Sequence, residues 1–367
     1  MSAIRAALAL LAALAASAAL AQQARTPSSP PLSRTLGAPR TFGNLTVIPV
    51  YDPRATASAR VFTLDEALRA GVAKVRESGR DGDVNRVLID NHGDRPIYIL
   101  GGEVVLGGKQ DRCVGQNTIV PPRTKAMGVT VFCVEHGRWS GTGDFDQAAS
   151  AVAQKEVRLH AQEGGFAASR PAPSPTQRAR RGAEPPGGVD VGVAQDRVWA
   201  AVAARNRRFG AESSTGTYRQ VVQSSAGGLS QTVRAAEEAL LGALGRDPKL
   251  VGVVVAVNNR VVGADVFSDS ALFRKMWPRL LRGYATDAAE VASEGAGGRA
   301  PMTASGADAF LRAAVARGRV ERTRAGEMLR ERVETDATVV HRTAGRAMGG
   351  TAGAQMPALR HENILRK

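Results

Sequence analysis

Glu103 is a lone carboxylate held between two glycine pairs, Gly101-Gly102 and Gly107-Gly108, just after the apolar run Pro96 to Leu100. Paired glycines in a β region mark bulges or close backbone approach, so the sheet is predicted to bend here. A carboxylate at such a bend either accepts backbone N–H groups and holds it, or faces a ligand that the glycine backbone lets come close. Next to it lies the richest polar cluster of the chain: Lys109, Gln110, Asp111 and Arg112, joined by Glu135, His136 and Arg138 from a following strand. Two carboxylates brought together raise the pKa of one of them, which acid–base sites exploit. Glu103, Asp111 and Glu135 are therefore the candidate catalytic residues. Glu103, Gly107, Gly108, Lys109 and Arg112 form the candidate ligand-binding set. The competing reading is a solvated strand end where Arg112 and Arg138 screen the acids, or a strand register one residue away.

Other chemistries find less support. Gly107-Gly108-Lys109 lacks the rest of a phosphate-loop pattern. His92, His136, His160, His341 and His361 show no ligand spacing, so neither a metal nor a cofactor is expected. No Gly-x-Ser-x-Gly elbow occurs. Asp265 and Asp269 read as turn and capping residues.

The acidic cluster depends on a β-ribbon. Asp111 to Val120 and Ala126 to Glu135 both read as strands, joined by Pro121-Pro122-Arg123-Thr124-Lys125. A fold-back centred on Arg123 sets Asp111 opposite Glu135 and Cys113 opposite Cys133, the only two cysteines. A disulfide is predicted there, with two buried free thiols as the alternative; such a bridge contributes roughly 3 kcal/mol.

Around the ribbon, Asn44 to Tyr51 has strand character and Phe62 to Ser78 reads as an amphipathic helix starting at Thr63 or Asp65. Val84 to Asp90 and Pro96 to Leu100 read as a hairpin. Helices are predicted from about Phe145 to Gln162, over Val193 to Phe209, and within Thr217 to Gly245. The clearest hairpin is Leu250 to Val257 and Arg260 to Phe267, turning at Asn258-Asn259. In the helix after Ser268 or Asp269, Phe273, Trp277, Leu280, Leu281 and Tyr284 share a face, with Arg274, Arg279 and Arg282 pointing away. A helix at Ala307 to Arg317 and strands at Met328 to Glu334 and Ala337 to His341 follow. The fold class is α/β (α+β): a mixed, largely antiparallel sheet packed by helices, in a single domain.

Residues 1–21 carry Arg5, an apolar run from Ala6 to Leu20, and Ala19-Leu20-Ala21 before Gln22, which reads as a cleavable secretory signal. A periplasmic or secreted chain, not membrane-spanning after signal removal, is expected. Residues 22–41 read as a disordered tether, 42–345 as the domain with a disordered insertion at 164–190, and 346–367 as a flexible tail. The net charge of +15 draws on 49 basic residues, only seven of them Lys. No basic stretch is interleaved with the aromatics that base stacking needs, so no specific nucleic acid partner is expected.

Several segments in order are similar to one family. They are Gly43 to Pro53 (GNLTVIPVYDP), Thr63 to Leu68 (TLDEAL), Pro96 to Arg112 (PIYILGGEVVLGGKQDR), Asn117 to Thr124 (NTIVPPRT) and Val257 to Ala288. The chain resembles the ARG and rhodanese-phosphatase-superfamily-associated protein domain family over roughly Phe42 to His341. The resemblance implies a shared fold and a loose association with ADP-ribose or phosphate-ester metabolism, and it supplies no catalytic residue set. The function expected is a non-catalytic binding or interaction module for a small anionic ligand or an envelope polymer. The alternatives are a carboxylate-dependent hydrolase of a phosphorylated or glycosidic, ADP-ribose-related substrate, and a basic structural envelope protein; whether the chain is an enzyme is left open.

Overall fold

The computed structural model describes residues 34–57, 60–79, 82–141, 144–170, 190–325, 328–345 and 359–367. The expected signal at 1–21 lies outside the described residues, as does most of the expected insertion.

The first part of the chain is nearly all strand. It runs through β1 (Thr35–Leu36), β2 (Arg40–Phe42), β3 (Leu45–Tyr51) and β4 (Phe62–Thr63), then one short helix, α1 (Leu64–Arg69). There follow β5 (Ala73–Glu77), β6 (Arg86–Asn91), β7 (Ile97–Ile99), β8 (Glu103–Gly107), β9 (Arg112–Val114), β10 (Thr118–Val120), β11 (Thr124–Cys133) and β12 (Asp144–Val152). Helices come next: α2 (Lys155–Ala168), α3 (Val191–Arg208), α4 (Arg219–Val222) and α5 (Leu229–Leu240). The last part holds β13 (Leu250–Val257), β14 (Arg260–Phe267), α6 (Ser270–Glu290), α7 (Ala304–Ala313), β15 (Arg319–Ala325), β16 (Met328–Glu334), β17 (Thr338–Gly345) and β18 (Leu359–Arg366).

Nine strands form one sheet in the order β1-β3-β13-β14-β18-β17-β16-β15, with β2 added on β3. β11-β6-β5-β12-β8-β9 close into a six-stranded barrel, and β10-β7-β4 make a third sheet in which β4 runs parallel to β7. The predicted mixed, largely antiparallel α/β architecture is what the chain adopts, and Ser33–Lys367 is one compact unit. The β13–β14 hairpin turns at Asn258 and Asn259, both in the left-handed region (φ 48° and 59°) that a two-residue turn of this hand requires. Asp269 caps α6 by accepting the N–H groups of Ala271 and Leu272 at 2.9 and 3.0 Å. The predicted face of Phe273, Trp277, Leu280, Leu281 and Tyr284 is buried in the main core.

Where the structure departs from local pattern, long-range pairing is the reason. Only Leu64–Arg69 of the predicted Phe62–Ser78 helix is helical: Thr63 forms a capping box with Glu66, Gly71 turns the chain at φ 65°, and the rest becomes barrel strand β5. The alanine-rich start of the predicted Phe145–Gln162 helix is β12, which pairs with β5 and β8; sheet partners override local propensity. β6 and β7 are not a hairpin, since β6 pairs with β5 and β11 while β7 pairs with β10 and β4.

The ends of the predicted domain shift as well. Thr35–Leu36, inside the predicted tether, and Arg40–Phe42, across its predicted end at residue 41, pair with β3. Gly164-Gly165, read as the start of an insertion, continue α2. There, Cβ atoms would strike the Phe132 ring at one position and the Gly115 carbonyl at the other, so glycine permits close helix packing. The predicted flexible tail contains β18, which sits between β14 and β17 in the interior of the large sheet.

The disulfide is also overturned. Cys113 pairs with Phe132, and Cys133 pairs with Arg112. This is the register one residue away, and a one-residue slip sends the two sulfurs to opposite faces of the ribbon. Both cysteines are buried free thiols. Burial pushes the Cys113 thiol up to about 12 and the Cys133 thiol up to about 11, so neither is a nucleophile at neutral pH. Titration with a thiol reagent is expected to find no rapidly reacting group in the native protein and two after denaturation. A reductant is expected to leave the melting temperature unchanged; a drop on reduction would contradict this register.

Candidate functional site

The predicted site residues divide into two separate groups. Glu103 is fully buried, accepts the Leu100 N–H at 2.7 Å, and lies 3.2 Å from the Arg279 guanidinium. It holds the bend, and burial raises its pKa against the pull of Arg279. Arg279, predicted to point away from the core, turns in to meet it.

Asp111 and Glu135 do come together, but arginines enclose them. The Glu135 carboxylate accepts the Asp111 N–H at 3.2 Å and the Arg138 guanidinium at 2.7 Å. Asp111 accepts Arg219 at 2.8 and 3.2 Å, the Thr217 hydroxyl at 3.1 Å and the Gly107 N–H at 2.9 Å. Arg112 is fully buried, donates to the Gln110 carbonyl at 2.9 Å and stands 3.4 Å from Glu77. Glu77 also takes the Lys109 N–H at 2.9 Å. The Gly107 and Gly108 carbonyls accept Arg138 at 3.2 and 2.7 Å. Gly108, at φ 53°, leaves room for the Phe145 ring. Glu103, Asp111 and Arg112 are each at most 1% exposed. The carboxylates of this set are buried and paired with arginines, and their contacts brace the barrel.

A second buried polar network crosses the large sheet. Asp265 lies in an apolar strand and receives both arms of Arg158 from α2, at 2.7 and 2.9 Å. It also accepts the Tyr284 hydroxyl at 2.7 Å, His361 Nε2 at 3.0 Å and the Asn363 amide at 3.0 Å. The Asn117 amide N–H donates to His361 Nδ1 at 2.8 Å, and Asn117 Oδ1 takes the Gly101 N–H at 2.8 Å, which sets the amide orientation. His361 is therefore the neutral tautomer with its proton on Nε2. Burial pushes its pKa down against the Asp265 bond. Burial also pushes the Asp265 carboxyl up, but Arg158 and His361 outweigh it and hold it well below the usual range. Asp265 is thus an ion-pair partner inside the core instead of the predicted turn residue.

The network ends at a cavity of about 480 Å³, a size suited to a small molecule. On α6, Asp287 follows Tyr284 by three residues, and on α2, Lys155 precedes Arg158 by three, so each pair shares a helix face. The inner pair meets Asp265; the outer pair lines the cavity. Opposite them the hairpin turn and the end of β18 bring Arg260 and Arg366, and the loop after α6 brings Arg299. Arg366 donates to the Val261 carbonyl at 2.6 Å and lies over the Phe310 ring at 4.8 Å. Arg299 donates to the Ala296 carbonyl at 2.9 Å. None of these three arginines has a carboxylate partner among the described residues. Burial and then the neighbouring Arg260 lower the pKa of Arg366. Both Asp287 oxygens accept the Lys155 N–H, at 3.1 and 3.2 Å. Burial pushes the Asp287 carboxyl up to about 7, against the pull of Arg205.

Sequence reasoning missed this site. The available signals were a single acid, Asp265, inside an apolar strand, and the cation after the Asn258-Asn259 turn. Nothing local joins Arg260 to Arg366, which are brought together by strand order. Among the described residues no group of three or more His, Cys, Asp or Glu is placed to hold a metal ion. No helix of the described residues is long and apolar enough to cross a membrane.

Residues 33–352 match the family model of the ARG and Rhodanese-Phosphatase-superfamily-associated Protein domain. No curated protein and no solved structure matches the chain.

Proposed function

The chain belongs to the ARG and Rhodanese-Phosphatase-superfamily-associated Protein domain family, and from that premise we propose that it is a non-catalytic module binding a small anionic ligand in the cavity bordered by Arg260, Arg299 and Arg366. The observation that carries the reading is that three guanidinium groups border one cavity without a carboxylate partner. Glu156, Asp287, Glu290 and Glu294 also line the cavity, but none of them pairs with these three arginines among the described residues, and an oxyanion with several acceptor oxygens offers such guanidinium groups charge-assisted hydrogen bonds. Among the described residues no aromatic ring lines the cavity, which favours a phosphorylated or carboxylated aliphatic ligand over a stacked nucleobase. The apolar run and Ala19-Leu20-Ala21 of residues 1–21 support export, so the module is placed in the periplasm or outside the cell.

Calorimetric titration with inorganic pyrophosphate is the test. Saturable binding is expected, weakening as salt rises. Arg260→Gln is expected to reduce affinity about tenfold, the scale of one lost charge-assisted hydrogen bond. Arg234→Gln, on an exposed face of α5, is the control and is expected to bind as the parent does. Binding untouched by Arg260→Gln would remove the cavity as the site.

A second reading, a hydrolase of phosphorylated substrates, is favoured by one feature: a carboxyl pushed up to about 7 on the cavity wall, where a general acid is useful. It transfers the acid role from Glu103, Asp111 and Glu135 to Asp287. Phosphomonoester turnover abolished by Asp287→Asn would support it, and binding without turnover would leave the module reading in place. A basic structural role in the envelope, resting on the net charge of +15, predicts binding to anionic polymers that Arg260→Gln leaves unaltered.

A further inference from the structure

We propose that the cavity takes up an oxyanion together with one proton, which is carried by Asp287 and donated as a hydrogen bond to an oxygen of the bound anion. The inference rests on the binding role given above to Arg260, Arg299 and Arg366.

Asp287 shares the cavity with these arginines, yet it pairs with none of them. Its only hydrogen-bond donor among the described residues is the Lys155 N–H, at 3.1 and 3.2 Å to the two oxygens. The cations on the helices packed around it are already engaged, while Glu294 and Arg299, from the segment after α6, also line the cavity. From α2, the Lys155 ammonium lies 3.7 Å from Glu156, and Arg158 is bound to Asp265. From α3, Arg205 pairs with Glu156 and, at 3.4 Å, with Glu290 of α6. Tyr284, one turn back on α6, donates to Asp265 at 2.7 Å. Arg260 approaches from β14 and Arg366 from β18, with Lys367 just after that strand; Lys367 pairs with Glu334 at 2.6 Å.

An anion seated against Arg260 and Arg366 therefore faces a carboxyl that no cation contacts as an ion pair among the described residues, although Arg205 and Lys155 draw on it from further away. Ionised, that carboxyl repels the anion. Protonated, it offers an O–H to it, and the proton comes from solvent. Burial that pushes Asp287 up to about 7 places this exchange near neutral pH. Among the described residues no histidine or cysteine lines the cavity, so no other described side chain there ordinarily titrates between pH 5.5 and 8.5.

Sulfate is the suitable probe because it remains a dianion throughout that range. Calorimetry across it, repeated in two buffers of different ionisation enthalpy, counts protons taken up. Expected are an affinity falling about tenfold per pH unit once Asp287 is ionised, and close to one proton absorbed per sulfate on the alkaline side. Asp287→Asn, which keeps an acceptor for the Lys155 N–H, is expected to bind sulfate with one affinity at every pH and no proton uptake. Sulfate binding with no pH slope and no proton uptake in the parent would overturn the inference and leave the anion site standing, as would a slope that persists in Asp287→Asn. If sulfate and pyrophosphate both fail to bind at any pH, the anion site falls and the inference falls with it.

Discussion

Deletion of residues 359–367 is expected to leave a chain without a cooperative fold, even though this segment follows a low-complexity stretch and has the composition of an expendable end. β18 pairs with β14 on one side and β17 on the other, through registers running from Phe267↔His361 to Gly263↔Leu365 and from Gly345↔Leu359 to Thr338↔Arg366. Its loss would split the nine-stranded sheet into two parts and expose two hydrogen-bonding edges. Leu359, Ile364 and Leu365 are buried, and emptying such sites costs about 2–5 kcal/mol each, in total comparable with the stability of an ordinary domain. His361, Glu362 and Asn363 leave with them, and Asp265 loses two of its donors. Circular dichroism on heating is the measurement. The truncated chain should give no sigmoidal transition, and a transition within a few degrees of the parent would contradict the position of β18.

Arg158→Met is expected to be the most damaging single substitution among the polar residues. It leaves the fully buried Asp265 carboxylate with neutral donors alone, Tyr284, His361 and Asn363. Breaking a buried pair from one side typically costs about 3–5 kcal/mol. Asp265→Leu strands the Arg158 guanidinium in the same way. The double variant Arg158→Met with Asp265→Leu removes both charges, and it should be more stable than the sum of the two single losses predicts. Urea unfolding of all four proteins gives the coupling directly. Additive losses would mean that the two side chains do not depend on each other, against the 2.7 and 2.9 Å contacts between them.

How much of this was legible follows from the range of each interaction. The β13–β14 hairpin was legible because two β-branched runs and the Asn258-Asn259 turn lie within one short stretch. The capped start of α6 was legible for the same reason, with Asp269 bonding the N–H groups two and three residues ahead. The bend at Glu103 was also readable, since glycines on both sides of a lone acid announce a distorted strand, and there the carboxylate accepts the Leu100 N–H. Ribbon pairing was harder. Hydrophobic pattern placed Asp111 to Val120 near Ala126 to Glu135, but β10 left to join β7, and the remaining pair settled one residue away from the symmetric register. That single step separated the cysteines.

Local signals in the amino-acid order therefore settled the mixed α/β class, the central hairpin, the caps and the family. Tertiary structure alone decided the cavity and the buried ion pair, because α2 and β18 are far along the chain from the adjacent β14 and α6 that they meet. A charged residue in an apolar strand reveals that a partner must exist, since an unpaired charge is too costly to bury. It does not reveal which of 49 basic residues the partner is. That choice is made by the order in which strands add to the sheet, where pairing energy is gained only after distant segments have met.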